Sequence, residues 1–136
     1  MLSLRRRCGL CLVLGLFAAV PFAAAASDSG FPFGDALVLD AAPLPGSKRV
    51  PMIEIEESGD VSLYLWCASV RGSAKVGDGT ITIVPTTPMP SQCTPDQISR
   101  DADLLAHLSQ MTGWRRQGNE VDLLGADTLR FRLMTN

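Results

Sequence analysis

The chain has 136 residues with 12 basic and 14 acidic side chains, a formal net charge of −2. This length allows one domain with one modest core, and the absence of a basic patch argues against nucleic acid as a partner. Four cysteines and a single histidine, His107, limit the metal and nucleophile chemistry that the sequence supports.

The first 26 residues (1–26) have the pattern of a secretory signal peptide. Arg5–Arg7 precede an apolar run that Pro21 interrupts, and Ala24–Ala26 provide a small-residue cleavage site. Pro21 and the small-residue end disfavour the alternative, a single membrane anchor. We therefore predict an exported protein, periplasmic or secreted.

Removal of this segment would leave 110 of the 136 residues, with nine basic and fourteen acidic side chains and a balance of −5. Cys8 and Cys11 lie at the beginning of the apolar run, so neither suits the lipidated first residue of a lipoprotein. Cys67 and Cys93 remain, in a compartment that permits disulfides. No further apolar run is long enough to span a bilayer, so we predict no membrane span in the mature chain.

Residues 27–35 are polar and broken by glycine and proline, which predicts a flexible leader before a domain over 36–136. The stretch "ALVLD" (36–40) suits a first short strand, and the prolines of 41–51 exclude a helix there. In "MIEIEE" (52–57) isoleucines alternate with glutamates, which is the period of a half-buried strand.

The next strand, "VSLYLWC" (61–67), has two unlike faces. One is aliphatic and ends in a cysteine: Val61, Leu63, Leu65 and Cys67. The other carries Ser62, Tyr64 and Trp66. We expect the aliphatic face to lie in the core. Residues 69–85 then predict two strands joined by a Gly-Asp-Gly turn.

The clearest helix signal covers residues 95–111. Thr94 suits the N-cap, Pro95 the first helical position, and Gln97 completes a capping box. Helical spacing predicts an apolar side formed by Ile98, Ala102, Leu105 and Ser109 and flanked by Ala106 and Leu108. The opposite, solvated side carries Asp96, Arg100, Asp103 and His107.

Three strands, at 113–117, 120–124 and 128–134, are predicted to finish the chain. In the last of them Arg130 and Arg132 face away from the apolar side. The order of elements predicts an α+β fold: a small, mainly antiparallel β-sheet or partial β-barrel with one helix packed on it.

Cys93 directly precedes the helix, where a thiol could be a nucleophile, a metal ligand or half of a disulfide. A Cys–His dyad needs atoms roughly 3 Å apart, but a continuous helix carries His107 roughly 20 Å away. The same distance removes His107 from a metal site at Cys93, and no CxxC or HxxxH cluster occurs. We therefore predict a Cys67–Cys93 disulfide, and no catalytic residue, metal or cofactor.

The candidate binding patch consists of Tyr64, Trp66, Arg130 and Arg132. If their two strands are neighbours, these side chains form one exposed aromatic–arginine surface, and such residues are enriched in interfaces. The alternative is that the helix or the leader covers Tyr64 and Trp66 as a second small core.

Several segments between about Met52 and Met134 carry a family resemblance. "CASVRGSAKVGDGTITI" (67–83) joins a cysteine to a glycine-containing turn and a strand, and "TTPMPSQC" (86–93) is a connection that ends in a second cysteine. A helix with "LLAHL" and the closing "VDLLGADTLRFRL" (121–133) follow. In this order the segments resemble the META domain, the family of the heat-shock protein HslJ. The chain departs from that family's usual Gly-Cys-Asn at Trp66-Cys67-Ala68.

The resemblance implies a small β-barrel-like domain with one helix, in an envelope or periplasmic protein linked to stress response, with no established catalytic residues. We therefore expect a non-enzymatic protein that supports the envelope stress response or envelope integrity by binding an envelope protein or ligand. The alternative is a small periplasmic inhibitor of lysozyme-type enzymes, which stoichiometric inhibition of muramidases would reveal.

Overall fold

The computed structural model describes residues 30–89 and 92–135, so the predicted signal peptide lies outside the described residues. Within them, eight strands and one helix follow in chain order. They are β1 (Leu37–Leu39), β2 (Met52–Ile55), β3 (Asp60–Tyr64), β4 (Ser69–Val76), β5 (Ile81–Pro85), α1 (Pro95–Ser109), β6 (Gly113–Gln117), β7 (Glu120–Leu124) and β8 (Thr128–Leu133).

The strands form one antiparallel sheet in the order β5-β4-β3-β2-β1-β8-β7-β6. The short β1 joins two runs of consecutive strands, because it pairs with β2 on one side and β8 on the other. The two edges approach each other at an isolated bridge between Thr80 and Gly113, and the Ile81 amide donates to the Thr112 carbonyl at 3.1 Å. The sheet is therefore a nearly closed barrel with α1 packed beside β5, which confirms the predicted fold class.

Alternation along the strands determines which side chains fill the barrel. Val61, Leu63 and Leu65 are each only 1% exposed, which confirms most of the predicted core face. Cys67, its last member, is half-buried and lies beyond the end of β3. In β2 the isoleucines are buried, and in β8 Phe131 is buried between two exposed arginines. The period-two pattern was sufficient to predict these faces because each strand has one side toward the core and one toward solvent.

The helix begins as predicted. Thr94 is its N-cap, and the reciprocal hydrogen bonds between Thr94 and Gln97 form a capping box. The predicted apolar side, however, is only partly correct: its flanking Leu108 is buried and Leu105 packs against the core, but its other residues are exposed. Ile98 is 57% exposed, and Ala102 and Ser109 are exposed as well. The buried residues of α1 are Asp101, Leu104 and Leu108.

The helix is rotated about its axis relative to the prediction, and the tertiary structure shows why. Leu104 and Leu108 are spaced by one turn and enter the core, and Asp101 lies on the same face three residues before Leu104. Asp101 is held there by backbone hydrogen bonds to another part of the chain, which the helical period alone does not reveal.

Part of the predicted leader packs against the barrel. Phe31 and Pro32 are buried, and the Phe31 ring lies edge-on to Trp114 with centroids 5.2 Å apart. The Gly34 amide also donates to the Ile55 carbonyl at 2.9 Å. Residues 30–35 therefore contribute to the domain, and residues 27–29 lie outside the described residues.

Candidate functional site

The structure separates the two halves of the predicted aromatic–arginine patch. Tyr64 is in β3 and the two arginines are in β8, with β2 and β1 between them. Tyr64 and Arg132 do lie in one row across the outer face, because Tyr64 pairs with Met52, Met52 with Val38, and Val38 with Arg132. Three strand spacings of about 4.8 Å put roughly 14 Å between them. The condition for one continuous patch, neighbouring strands, is not met.

The two aromatic residues of the patch have different surroundings. Tyr64 is 38% exposed on the outer face. Trp66 follows the end of β3, is half-buried and packs against the core. Its indole Nε1 is inaccessible and has no hydrogen-bond partner among the described residues. Tyr64 is thus available to a ligand, whereas Trp66 is largely covered.

The two β8 arginines are engaged by carboxylates. Arg130 Nε donates to Asp122 Oδ1 at 3.0 Å, and Arg115 Nε donates to Asp122 Oδ2 at 2.9 Å. Arg132 pairs with Asp40 at 3.3 Å. The Asp122 side chain is only 9% exposed. The outer face of β6–β8 is therefore a cross-strand ion-pair network, which stabilises the sheet and leaves little free positive charge.

This network predicts a pH-dependent contribution to stability. The hydrogen bond from Arg130 is the main cause that lowers the pKa of Asp122; burial opposes it, and Arg115 adds to the lowering. A carboxylate with a lowered folded-state pKa stabilises above its unfolded pKa of about 3.9, and the contribution is lost as the pH falls toward the folded value.

Asp122→Asn is accordingly expected to destabilise the protein by about 1–2 kcal/mol near neutral pH. The difference between wild type and variant should shrink below about pH 4, because the carboxylate of the unfolded wild type then protonates, followed at lower pH by that of the folded protein. Urea unfolding of both proteins at several pH values measures this difference in unfolding free energy. A difference that stays constant down to about pH 3 would contradict stabilisation by an ionised Asp122.

The region around Cys67 ties the helix to the barrel at two points. The Cys67 and Cys93 sulfurs lie at bonding distance, 1.97 Å, with Cα atoms 5.9 Å apart, a separation that suits a disulfide. Asp101, 4% exposed, accepts backbone hydrogen bonds from Trp66 at 2.9 Å, Cys67 at 3.3 Å and Ala68 at 2.8 Å. Both contacts fix the connection between β3 and β4 against the start of α1, so this cluster is structural.

The remaining predicted or considered groups lie apart from this cluster. His107 is on the exposed side of α1, and its Nε2 is 3.8 Å from Asp127 Oδ2, across the gap between the helix and the β7–β8 turn. Within residues 30–89 and 92–135 there is no group of three or more His, Cys, Asp or Glu side chains that could hold a metal. Over the same residues no helix has the length and hydropathy needed to cross a membrane.

The strongest candidate for a binding site is a pair of depressions on the outer face of the sheet. The first has a volume of about 530 Å³ and lies over β3 and β4, whose outward residues Ser62, Tyr64, Ser69 and Arg71 line it. Arg49, from the connection before β2, and Met89, from the connection after β5, complete its wall. Its size is within the range of small-molecule pockets.

The second depression adjoins the first and has a volume of about 420 Å³. Its lining is mainly aliphatic: Val38, Val50, Met52 and Met134. It shares Arg49, Tyr64 and Ser69 with the first depression. We call the two together the outer-face groove. The groove has one end rich in hydroxyl groups and arginine and one apolar end.

The polar end of the groove is positively charged. In the part of the chain that the structure describes, no acidic side chain lines the first depression. Arg71 donates to the Ser62 hydroxyl at 3.0 Å, and among the described residues neither Arg71 nor Arg49 has a carboxylate at ion-pairing distance. In the register Glu54 faces Ser62, and the Cα atom of Glu54 lies two strand spacings, about 10 Å, from that of Arg71. Both arginines therefore line the groove without a carboxylate partner among the described residues.

Sequence reasoning identified only Tyr64 among the residues of this groove. Arg71 lies opposite Ser62 in the next strand, so its outward direction follows from the alternation already used for β3. Arg49 carries no such signal, because it lies in an irregular connection. Asp101 was also missed, although its place one turn before Leu104 and Leu108 is a sequence signal of a buried carboxylate.

Comparisons with known proteins agree with this architecture. One similar solved structure, an NMR structure of a protein from Burkholderia xenovorans, has a TM-score of 0.61 at 20% identity and covers 76% of this chain and 84% of its own. A second NMR structure of a protein has a TM-score of 0.57 at 20% identity, covering 74% and 89%. At this identity the likeness concerns the fold. No curated protein gives a significant match. The sequence pattern of the META domain matches residues 36–136, and the chain therefore belongs to the META-domain family.

Proposed function

We propose that this META-domain protein is exported and acts in the cell envelope by binding a ligand in the outer-face groove, without catalysing a reaction. The observation that carries the proposal is the exposed Tyr64 at the junction of two adjoining depressions, one lined in part by hydroxyl groups and arginines and one mainly aliphatic. Ligand sites combine an apolar lining with a few convergent polar groups in this way.

Two further features support export and binding. The N-terminal arginines, apolar run and small residues have the pattern of a cleaved signal, and a structural disulfide suits an oxidising compartment. The side chains that line the polar end are hydrogen-bond donors and cations, which suit recognition of a ligand. In the cell, this binding would support the envelope stress response or envelope integrity.

The proposal is tested by localisation together with mapping of the bound surface. The full chain, expressed in a bacterial host, should be recovered from the periplasm or medium with Ser27 at its N-terminus. Isotope-labelled purified protein is then titrated with an extract of envelope small molecules and lipids, and amide shifts are followed by NMR. We expect shifts of the backbone amide signals of Tyr64, Ser69 and Arg71, which line the groove.

The matched comparison is Tyr64→Ala against Val84→Ala. Both residues are exposed in strands, but Val84 lies outside the groove. Tyr64→Ala should abolish the shifts and Val84→Ala should preserve them. Retention in the cytosol with an intact N-terminus would contradict export, and shifts confined to the helix around Ile98 would contradict the assigned site.

A further inference from the structure

The outer-face groove has a chemical polarity that points to one class of ligand. Its polar end presents Arg49, Arg71 and the Tyr64 side chain together with serine and threonine hydroxyls. Its apolar end presents the side chains of Val38, Val50, Met52 and Met134. A ligand that satisfies both ends has a negatively charged head and an apolar tail.

We propose, building on the function proposed above, that the groove binds a monomeric anionic amphiphile with one carboxylate and an alkyl chain. The carboxylate lies between Arg49 and Arg71, and the chain passes Tyr64 and crosses Met52 toward Val38 and Met134. This orientation follows the row in which Tyr64 pairs with Met52 and Met52 with Val38.

The charge distribution favours this orientation over the reverse. The two arginines have no carboxylate partner among the described residues, and a bound carboxylate supplies the acceptor that each guanidinium lacks. At the other end, Met134 borders a separate depression lined by Asp35 and Glu54. Glu54 also faces Ser62 at the polar end, so it does not distinguish the two ends. The orientation is set by the two guanidinium groups, which attract the carboxylate, and by the aliphatic side chains, which contact the alkyl chain.

The dimensions of the apolar end suit a chain rather than a ring system. It follows the sheet across β3, β2 and β1, which is two strand spacings or about 10 Å. The surface is shallow and flanked by flexible methionines, Met52 and Met134, which can adjust to a linear chain. A medium-length acyl chain therefore fits this end better than a compact aromatic ligand.

The probe for this proposal is decanoate, used below the concentration at which it aggregates and followed by isothermal titration calorimetry and by NMR shifts of the purified protein. We expect saturable binding that weakens as salt is raised, because the arginines are solvent-exposed. Decanol, which has the same chain without the charge, should bind at least about fivefold more weakly. Acetate, which has the charge without the chain, should show no saturable binding.

Substitutions at both ends of the groove separate the two contributions. Arg49→Gln and Arg71→Gln should each weaken decanoate binding by roughly fivefold, through loss of an ion pair. Met134→Ser should weaken it about threefold, through loss of apolar contact. Arg100→Gln, in the helix, and Val84→Ser are the matched controls; Val84 and Met134 are both 58% exposed, so neither change threatens the fold.

Three kinds of result would contradict the proposal. Equal affinity for decanol and decanoate, or Arg49→Gln and Arg71→Gln indistinguishable from Arg100→Gln, would exclude recognition of the anionic head. Binding to anionic phospholipid vesicles without binding to monomeric decanoate would assign the surface to a membrane instead. If decanoate fails while envelope extract still shifts the groove amides, the ligand class is wrong and the site stands; if both fail, the proposed function fails with it.

Discussion

Asp101→Ala is expected to destabilise the protein by about 3–4 kcal/mol, a large share of the total for a domain of this size. The side chain is 4% exposed and accepts three backbone hydrogen bonds, from Trp66, Cys67 and Ala68. Its removal takes away the acceptor of the buried Ala68 amide and of the part-buried Trp66 and Cys67 amides, and each lost hydrogen bond costs free energy. Urea unfolding, followed by circular dichroism, measures the effect.

Two controls show whether the hydrogen bonds are responsible. Asp103→Ala removes an exposed carboxylate from the same helix and should change stability by no more than about 0.5 kcal/mol. Asp101→Asn keeps the shape but replaces one acceptor oxygen with a donor, so it should recover only part of the loss. Equal stability of Asp101→Ala and Asp103→Ala would refute the structural role of Asp101.

The double substitution Cys67→Ala and Cys93→Ala is expected to cost roughly 3.5 kcal/mol of stability in the chain-entropy account of disulfides. The two cysteines are 26 residues apart in sequence, so the bridge restricts a sizeable loop of the unfolded chain. Unfolding of the oxidised wild type and the variant, with a reduced wild-type sample as the matched control, measures it. Two free thiols in the unreduced, unfolded, exported protein would contradict the disulfide.

The disulfide and Asp101 act on the same connection, so their effects should not be additive. Both hold the segment at Trp66–Ala68 against the start of α1. Once the bridge is removed, that segment can move away from the helix, and the Asp101 hydrogen bonds contribute less. A double-mutant cycle should therefore show a coupling of about 1 kcal/mol. Strict additivity would indicate that the two contacts stabilise separate parts of the domain.

The strand faces could be predicted from sequence because they depend on local alternation. Ile55, Leu63 and Phe131 are buried and each lies between two outward-facing neighbours, and a strand in a one-layer barrel must bury one of its two faces. The capped start of α1 was equally local, since Thr94 and Gln97 satisfy backbone groups within one turn. The face that the helix turns toward the barrel, in contrast, depends on contacts with distant parts of the chain. Ile98 continues an apolar stripe by spacing, yet it is exposed because Asp101 fixes the neighbouring stripe toward the barrel.

The sequence by itself determined the strands, the capped helix, the fold class and the pair of cysteines available for a bridge, because periodicity, capping and residue type act over a few residues. Only the tertiary structure decided which outward-facing side chains of different strands are neighbours. It placed β2 and β1 between Tyr64 and the β8 arginines, which pair with Asp122 and Asp40. It brought Arg49 and Arg71 to Tyr64 instead. The order of strands in a sheet is set by long-range pairing and closure of the barrel, and no short stretch of sequence encodes it.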